Sequence, residues 1–366
     1  MGLLQAGQKI GATYEVERFL GEGAFAEVYR VKHRFLGRQA LKVLKAPGLN
    51  LADIERVLAE AVVLSKLGHP NIIRVFNADV TEIAGESYGY FTMEYVAGGS
   101  LQQFWRSFGA RFVPVETVID LARQICRGLA VAHREKPPIV HRDIKPQNVL
   151  VGYEADGIRA RISDFGLAKA VNPLTLLASA RGTRSFKSPE AFLDFQSDSC
   201  AGDVWAIGVT MYLLLTDRFP ISVPETDSAV DPKIFETLVI PASRLNIQVD
   251  TNLDQIVNKS LAIDPARRYK TATELLQDLG AWAPSKLQAA AVQQSTSATS
   301  KVALGRVSTP DEGQARRAIT EAMGLARTTG KLQDAADMLE EALNKCPALR
   351  NEYESQLKLW RRGILM

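Results

Sequence analysis

The sequence predicts an α+β fold in which a small β-rich lobe carrying one helix precedes a larger helical lobe, with a short helical segment after both. Three observations predict it. Residues 13–45 read as strands broken by a glycine turn; helical periodicity holds over 51–67 and again, mostly, from 100 to about 282; and a stretch poor in large apolar residues sets off a last helical run.

The strand runs come in order as TYEVERFL, AEVYRVKH and RQALKVLK, with GEGAF as the turn after the first. Leu51, Ile54, Leu58, Ala61 and Leu64 then fall on one face of a helix. Two further strand-like runs, IIRVF and GYFTMEYV, complete the first lobe. The pattern is helical from Ser100 to His133, is interrupted over 139–163 by short strands around an Asp156-Gly157 hairpin signal, and returns to helix as far as Trp282. Two lobes of different material imply a cleft between them, where a ligand is commonly held. Residues 284–314 are rich in Ser, Thr, Ala and Gln and read as a flexible linker, and residues 315–366 as two or three short helices.

Composition excludes several classes. In a chain of 366 residues, 46% apolar and 23% charged residues describe an ordinary globular protein, and a net charge of +3 is too small for a nucleic-acid surface. No run is long enough to span a bilayer. The N-terminus lacks a secretion signal's apolar core, and Ala6 stands where a myristoylation pattern wants Ser or Thr. Cys126, Cys200 and Cys346 are sparse, odd in number and without metal spacing, which suggests a reducing interior; the expected location is cytoplasmic.

Four motifs carry chemistry. Gly21-Glu22-Gly23-Ala24-Phe25-Ala26-Glu27-Val28 lies between two strands, where glycines let backbone N–H groups approach phosphate oxygens. By itself it is weak, since glycine pairs mostly make turns, and the strand on its far side argues against a dinucleotide site. Lys42 ends a strand run and could meet the α/β-phosphates, with Glu60 on the first lobe's helix as its carboxylate partner. A solvated surface lysine is the plainer reading. His141-Arg142-Asp143-Ile144-Lys145-Pro146-Gln147-Asn148 is far more specific. Asp143 can serve as base to an attacking hydroxyl, Asn148 can ligate Mg²⁺, and Lys145 can offset charge on a transferring phosphoryl group. Asp164-Phe165-Gly166 follows across the hairpin and supplies a carboxylate for the same metal.

Over residues 13–283 these motifs resemble the eukaryotic-like (Hanks-type) protein kinases, bacterial members most closely; such kinases are a standard worked case for this motif set. The resemblance implies the bilobal protein-kinase fold, with an N-lobe at about 13–96 and a C-lobe at about 97–283. It implies ATP with Mg²⁺ (Mn²⁺ as an alternative), Asp143 as catalytic base, Asn148 and Asp164 as metal ligands, and Lys42–Glu60 as the activating ion pair. It further implies an adenine slot walled by Val28, Ala40 and Leu150, with Met93 as gatekeeper and the Glu94–Val96 backbone as hinge. Leu64, Val75, Phe165 and His141 would stack as a regulatory spine. Gly182-Thr183, Ser188-Pro189-Glu190, Asp203-Val204-Trp205 and Arg268, as partner of Glu190, extend the likeness.

Ala26 replaces the third glycine of the loop, Ser188 a commoner alanine and Phe186 a commoner tyrosine; none removes a charge or a metal ligand. Lys145-Pro146 and Thr183 resemble serine/threonine kinases, so protein hydroxyls are the expected substrates. Thr175, Ser179, Thr183 and Ser185 are candidate autophosphorylation sites that Arg142 could pair with. Ala335, Leu339, Ala342 and Pro347, with Gly330 at the turn, resemble one tetratricopeptide-type hairpin, a candidate site for a protein partner. One repeat cannot bury its face alone, so it either docks on the kinase or begins an array. The alternative function is a catalytically weak kinase-fold scaffold acting through those helices.

Overall fold

The computed structural model describes residues 2–23, 26–45, 67–109, 112–165, 184–193, 198–224, 231–284 and 310–365. Residues 51–66 of the helix expected over 51–67, with Leu64 of the proposed spine, lie outside them, and Leu67 is in a turn.

The first lobe is a six-stranded antiparallel sheet in the order β1-β2-β3-β4-β6-β5, formed by β1 (Lys9–Ile10), β2 (Tyr14–Glu22), β3 (Ala26–His33), β4 (Gly37–Leu44), β5 (Val75–Ile83) and β6 (Glu86–Glu94). Strand alternation divides its side chains between two clusters. Val16, Tyr29, Val31, Leu41, Val43 and Tyr90 form one. Ala40, Phe91 and Met93 join Ile73 in the other, beside the second lobe. On β4 this places Lys42 on the face of Ala40, toward that second lobe.

Two sequence expectations shift here. The run IIRVF is mostly not strand: β5 begins at Val75 and continues to Ile83. It turns into β6 through Ala84 (φ 53°) and Gly85 (φ 86°). A two-residue hairpin of this type needs positive φ at both positions, and alanine there is not a usual turn signal. The two-residue β1 pairs with β2 and was not anticipated.

The second lobe contains α1 (Leu101–Arg106), α2 (Val115–His133), α3 (Pro189–Leu193), α4 (Cys200–Thr216), α5 (Thr251–Ser260) and α6 (Ala272–Ala281), with the hairpin β7 (Val149–Glu154) and β8 (Gly157–Ile162). Serine or aspartate caps start three of them: Ser100 accepts from Gln103 N in a capping box, Ser199 from Gly202 N, and Asp250 from Leu253 N. Helix α4 is buried almost all round and forms the lobe's centre, against α2, α5 and α6. Gly208 permits its close crossing with α5, since a Cβ there would lie 2.8 Å from that of Ser260.

The last unit consists of α7 (Pro310–Ala326), α8 (Leu332–Lys345) and α9 (Arg350–Arg361). Helix α7 starts at Pro310, inside the stretch expected to be linker and ahead of the expected 315. Proline is favourable in a first helical turn, and Glu312 suits the positive end of the helix dipole. Ile319, Leu339, Leu343, Leu357 and Trp360 form the unit's core, and Tyr153 of β7 completes it. The unit therefore docks on the second lobe.

Candidate active site

Strand β7 is preceded by a loop that carries the motif 141–148, and β8 is followed directly by Asp164 and Phe165. The β7–β8 ladder, with Val149 opposite Ile162, brings the two motifs side by side. Ser163 N and its hydroxyl both donate to Asn148 O, at 2.8 and 3.0 Å. His141 is wholly buried and its Nε2 donates to Ser163 O at 2.9 Å, while Asp143 N donates to its Nδ1 at 3.2 Å. That pattern assigns the ring proton to Nε2. Its ring centroid lies 4.5 Å from that of Phe165, so two of the four predicted spine residues stack.

Asp143 sits at the meeting point of two donors. Lys145 Nζ lies 2.8 Å from Asp143 Oδ2, and Asn148 Nδ2 donates to the same oxygen and to the Asp143 carbonyl, each at 2.8 Å. Its other oxygen, Oδ1, is buried without a hydrogen-bond partner. A buried acceptor left open on a carboxylate whose other oxygen is fully engaged is costly unless something else uses it. The same bonds commit the Asn148 amide nitrogen and leave its oxygen, the atom able to ligate a cation, outside them.

Lys42 crosses from β4 to Asp164, with Nζ 2.5 Å from Oδ1. Withdrawal from water pushes the Asp164 carboxyl up, but Lys42 outweighs this and holds it below the ordinary aspartate value. Glu60, the expected partner of Lys42, lies outside the described residues. Asp164 itself takes a left-handed backbone (φ 60°), as does Arg142 (φ 71°). Among the described residues no group of three or more His, Cys, Asp or Glu could cage a metal by itself. One carboxylate and one amide oxygen fit Mg²⁺ completed by phosphate oxygens and water better than they fit a metal held by protein alone.

The predicted adenine slot is gathered in one apolar cluster: Val28, Ala40, Met93, Val96 and Leu150 pack together with Ile73, Phe91 and Val75. Met93 lies opposite both Ala40 and Val75 in the sheet. Glu94 pairs with Arg161 of β8 at 2.9 Å; burial pushes its carboxyl up against that pull. In the glycine loop, Gly21 faces Val28 across the ladder and Gly23 N donates to Ala26 O at 2.8 Å, closing the turn. Ala24 and Phe25 lie outside the described residues.

Of the candidate phosphorylation sites, Thr175, Ser179 and Thr183 lie outside the described residues, and Ser185 sits in a short turn over Arg184–Phe186. Arg142 pairs with Asp198, Nε to Oδ2 at 3.2 Å, a partner the sequence did not suggest. Arg268 is fully buried and bidentate on Glu190 at 2.8 and 3.1 Å, as expected from their positions.

Residues 14–279 match the protein kinase domain family. The chain belongs to that family. The kinase domain is 31% identical over 277 residues to the serine/threonine-protein kinase PrkC of Bacillus subtilis, covering 75% of this chain and 41% of that protein. It is 31% identical over 281 residues to the serine/threonine-protein kinase PknB of Mycobacterium leprae, covering 73% of this chain and 42% of the relative. The chain thus spans about 40% of the length of these curated relatives. A crystal structure of the PknI kinase domain of Mycobacterium tuberculosis superposes with a TM-score of 0.57 at 26% identity, covering 76% of this chain and 98% of that one. The kinase fold expected from the motifs is the fold observed, with a β-rich N-lobe and a helical C-lobe. No described helix is long and apolar enough to cross a membrane.

Proposed function

We propose that this chain is a serine/threonine protein kinase that transfers the γ-phosphoryl group of ATP to hydroxyls of protein substrates. The observation that carries the reading is the open, buried Oδ1 of Asp143, whose other oxygen is held by Lys145 and Asn148. A hydroxyl brought to that oxygen can hydrogen-bond to it and release its proton there as its oxygen bonds to the γ-phosphorus and the bond from that phosphorus to the bridging oxygen breaks, with ADP leaving. Lys145 remains next to the reacting group and offsets the negative charge that the phosphoryl oxygens carry. Lys42 would hold the nucleotide phosphates, and the cluster around Ala40, Met93 and Leu150 would take the adenine ring. Mg²⁺, held by Asn148 and Asp164, supplies Lewis-acid neutralisation of the phosphates when bound. Manganese would fit the same oxygen donors.

Arg142 already has a carboxylate partner in Asp198, so autophosphorylation at Thr175, Ser179, Thr183 or Ser185 would compete with that pair for the guanidinium. A protein partner at the C-terminal helices is supported only by their tetratricopeptide-like hairpin form, since the α8 residues Glu340, Glu341 and Asn344 are taken by the kinase lobes. The free cysteines support a reducing, cytoplasmic setting.

The test is purified full-length chain with Mg-ATP and a generic protein substrate, read by intact mass and peptide mapping. Asp143→Asn should bind ATP nearly as wild type yet transfer at least about 100-fold more slowly. Asp164→Ala should lose transfer together with metal-dependent nucleotide affinity. Equal loss of ATP binding in both variants would contradict the division of roles.

A further inference from the structure

The C-terminal helices touch both lobes and the connector between them: α9 lies against β7, and α8 makes most of the polar contacts. Along α8, Asp334, Asp337 and Glu341 recur at helical spacing and form an acidic stripe. Three arginines on three adjacent strands of the N-lobe meet it. Arg18 of β2 and Arg30 of β3 reach Glu341 at 2.8 and 2.6 Å, and Arg38 of β4 lies 3.5 and 3.6 Å from Asp334 and Asp337. The connector joins the same carboxylate, because the Tyr95 hydroxyl donates to Glu341.

The neighbouring stripe of α8 holds the other side. Glu340, 1% exposed, accepts from Tyr153 N of β7 at 3.0 Å, and Asn344 Nδ2 donates to Ala97 O at 3.3 Å. Arg361 of α9 supports this face, 2.6 Å from Glu340 and 2.9 Å from Asp337. Gly98 admits the helix: a Cβ at that position would stand 2.3 Å from Glu340 Oε1 and 2.0 Å from Val151 O. Little more than one turn of α8 thus pins the N-lobe, the connector and the C-lobe to each other.

Arg18 and Asp334 lie at the solvent edge of this set, but the Glu341–Arg30 pair at its centre is not an exposed ion pair of negligible value. Glu341 is 17% and Arg30 13% exposed, and three donors share one carboxylate. Burial pushes the Glu341 carboxyl up, yet Tyr95, Arg30 and Arg18 outweigh it and hold it below the ordinary glutamate value. Rotation of one lobe against the other would have to break this set or carry α8 with it.

We propose that α8 is a built-in brace across the interlobe connector, and that Glu341 is a positioning residue for ATP. It acts through Tyr95 on the Glu94–Val96 backbone, and the inference rests on the kinase reading above. Loss of Glu341 frees the connector while leaving Asp143, Lys145, Asn148 and Asp164 as they are. Nucleotide binding therefore suffers and the chemical step does not.

The experiment uses the full chain with Glu341→Ala, Tyr95→Phe and, as control, Glu352→Ala, which removes an exposed carboxylate whose partners, Arg316 and Tyr353, lie inside the terminal unit. Steady-state kinetics with varied Mg-ATP is paired with hydrogen exchange of amides 94–98 in nucleotide-free protein. For Glu341→Ala, KM for ATP should rise about tenfold with kcat within about twofold of wild type, and exchange across 94–98 should accelerate about tenfold. Tyr95→Phe, which removes a single hydroxyl, should move both readouts the same way by about threefold, and Glu352→Ala neither. Unchanged KM and exchange in Glu341→Ala overturn the brace. So does an equal effect of Glu352→Ala, which would mark simple loosening of the helical unit. If the wild-type chain binds no nucleotide, the kinase reading falls and the ATP role with it, whereas the exchange data still decide whether α8 braces the connector.

Discussion

Replacing Glu190 by alanine would leave the Arg268 guanidinium buried, with 0% of its side chain exposed, and without the carboxylate that neutralises it. Three backbone carbonyls, of Ala262, Ala201 and Ile263, would still accept from it at 3.0, 2.8 and 3.3 Å. The loss is therefore of charge compensation and two short bonds, not of every partner. Breaking a buried pair in this way costs roughly 3–5 kcal/mol, and the 18% exposure of Glu190 lets water relieve part of it, so about 3 kcal/mol is expected. That is a large share of the roughly 5–15 kcal/mol by which a domain is stable. For a domain of this size it corresponds to a fall in Tm of about 6–12 °C. The assay is urea and thermal unfolding of Glu190→Ala, Arg268→Met and the double variant. The double variant should lose less than the sum of the singles, because removing both charges leaves neither stranded. A loss below about 1 kcal/mol for Glu190→Ala, or strict additivity in the cycle, would refute the reasoning.

Three more outcomes are expected. Gly98→Ala places a Cβ 2.0 Å from the backbone oxygen of Val151, which cannot swing away as a side chain can, so the variant should melt several degrees lower and lose α8 docking, read as faster exchange at Tyr153 N. Thiol labelling of native protein should modify the half-buried Cys200 first; Cys126 is fully buried with its thiol pushed up by burial, and should react only on unfolding, as mass-mapped alkylation would show. Lys42→Met should lower Mg-ATP affinity and, by removing the cation that depresses it, return the Asp164 carboxyl toward or above its ordinary value, detectable by NMR titration of that side chain.

Much of the N-lobe was legible because its strand runs hold valine, leucine and tyrosine between clear turn residues: AEVYRVKH is β3 to the residue, and RQALKVLK differs from β4 by one position at each end. The second hairpin was not, because Ala84 at φ 53° gives no turn signal and polar residues interrupt β5 over Asn77–Glu82, a strand with only Ile83 buried. The catalytic loop could be read because its chemistry is compressed into eight consecutive residues, and the hairpin that aligns it with Asp164 is itself local. What sequence could not supply is pairing over distance. Arg142 with Asp198, Glu94 with Arg161, and the three arginines of β2–β4 with α8 join residues whose separate appearance is that of ordinary surface charge. An acidic stripe on an amphipathic helix is usually a solvated face, and only the fold shows that this one is not.

The catalytic loop and the Glu190–Arg268 pair are tied to the same few residues, the first turn of α4. Arg142 has a positive φ that a residue with a side chain adopts at a cost, so the loop needs support from outside itself. Asp203 provides it: its two oxygens accept from His141 N at 2.7 Å and Arg142 N at 2.8 Å. His133 adds a third bond to this carboxylate at 3.0 Å, and since Ala272 N donates to the other ring nitrogen, the proton on Nε2 is the one given to Asp203. The carboxylate is 2% exposed but sits where the helix dipole is positive, which offsets part of its burial. Two residues earlier, Ala201 offers its carbonyl to Arg268, and Arg268 holds Glu190. Displacing Arg268 would thus shift the turn from which Asp203 reaches the loop. The pair at Glu190 makes no contact with the reacting atoms, yet it fixes the start of the helix on which the strained Arg142 backbone depends, and stability and phosphoryl transfer should fall together when it is broken.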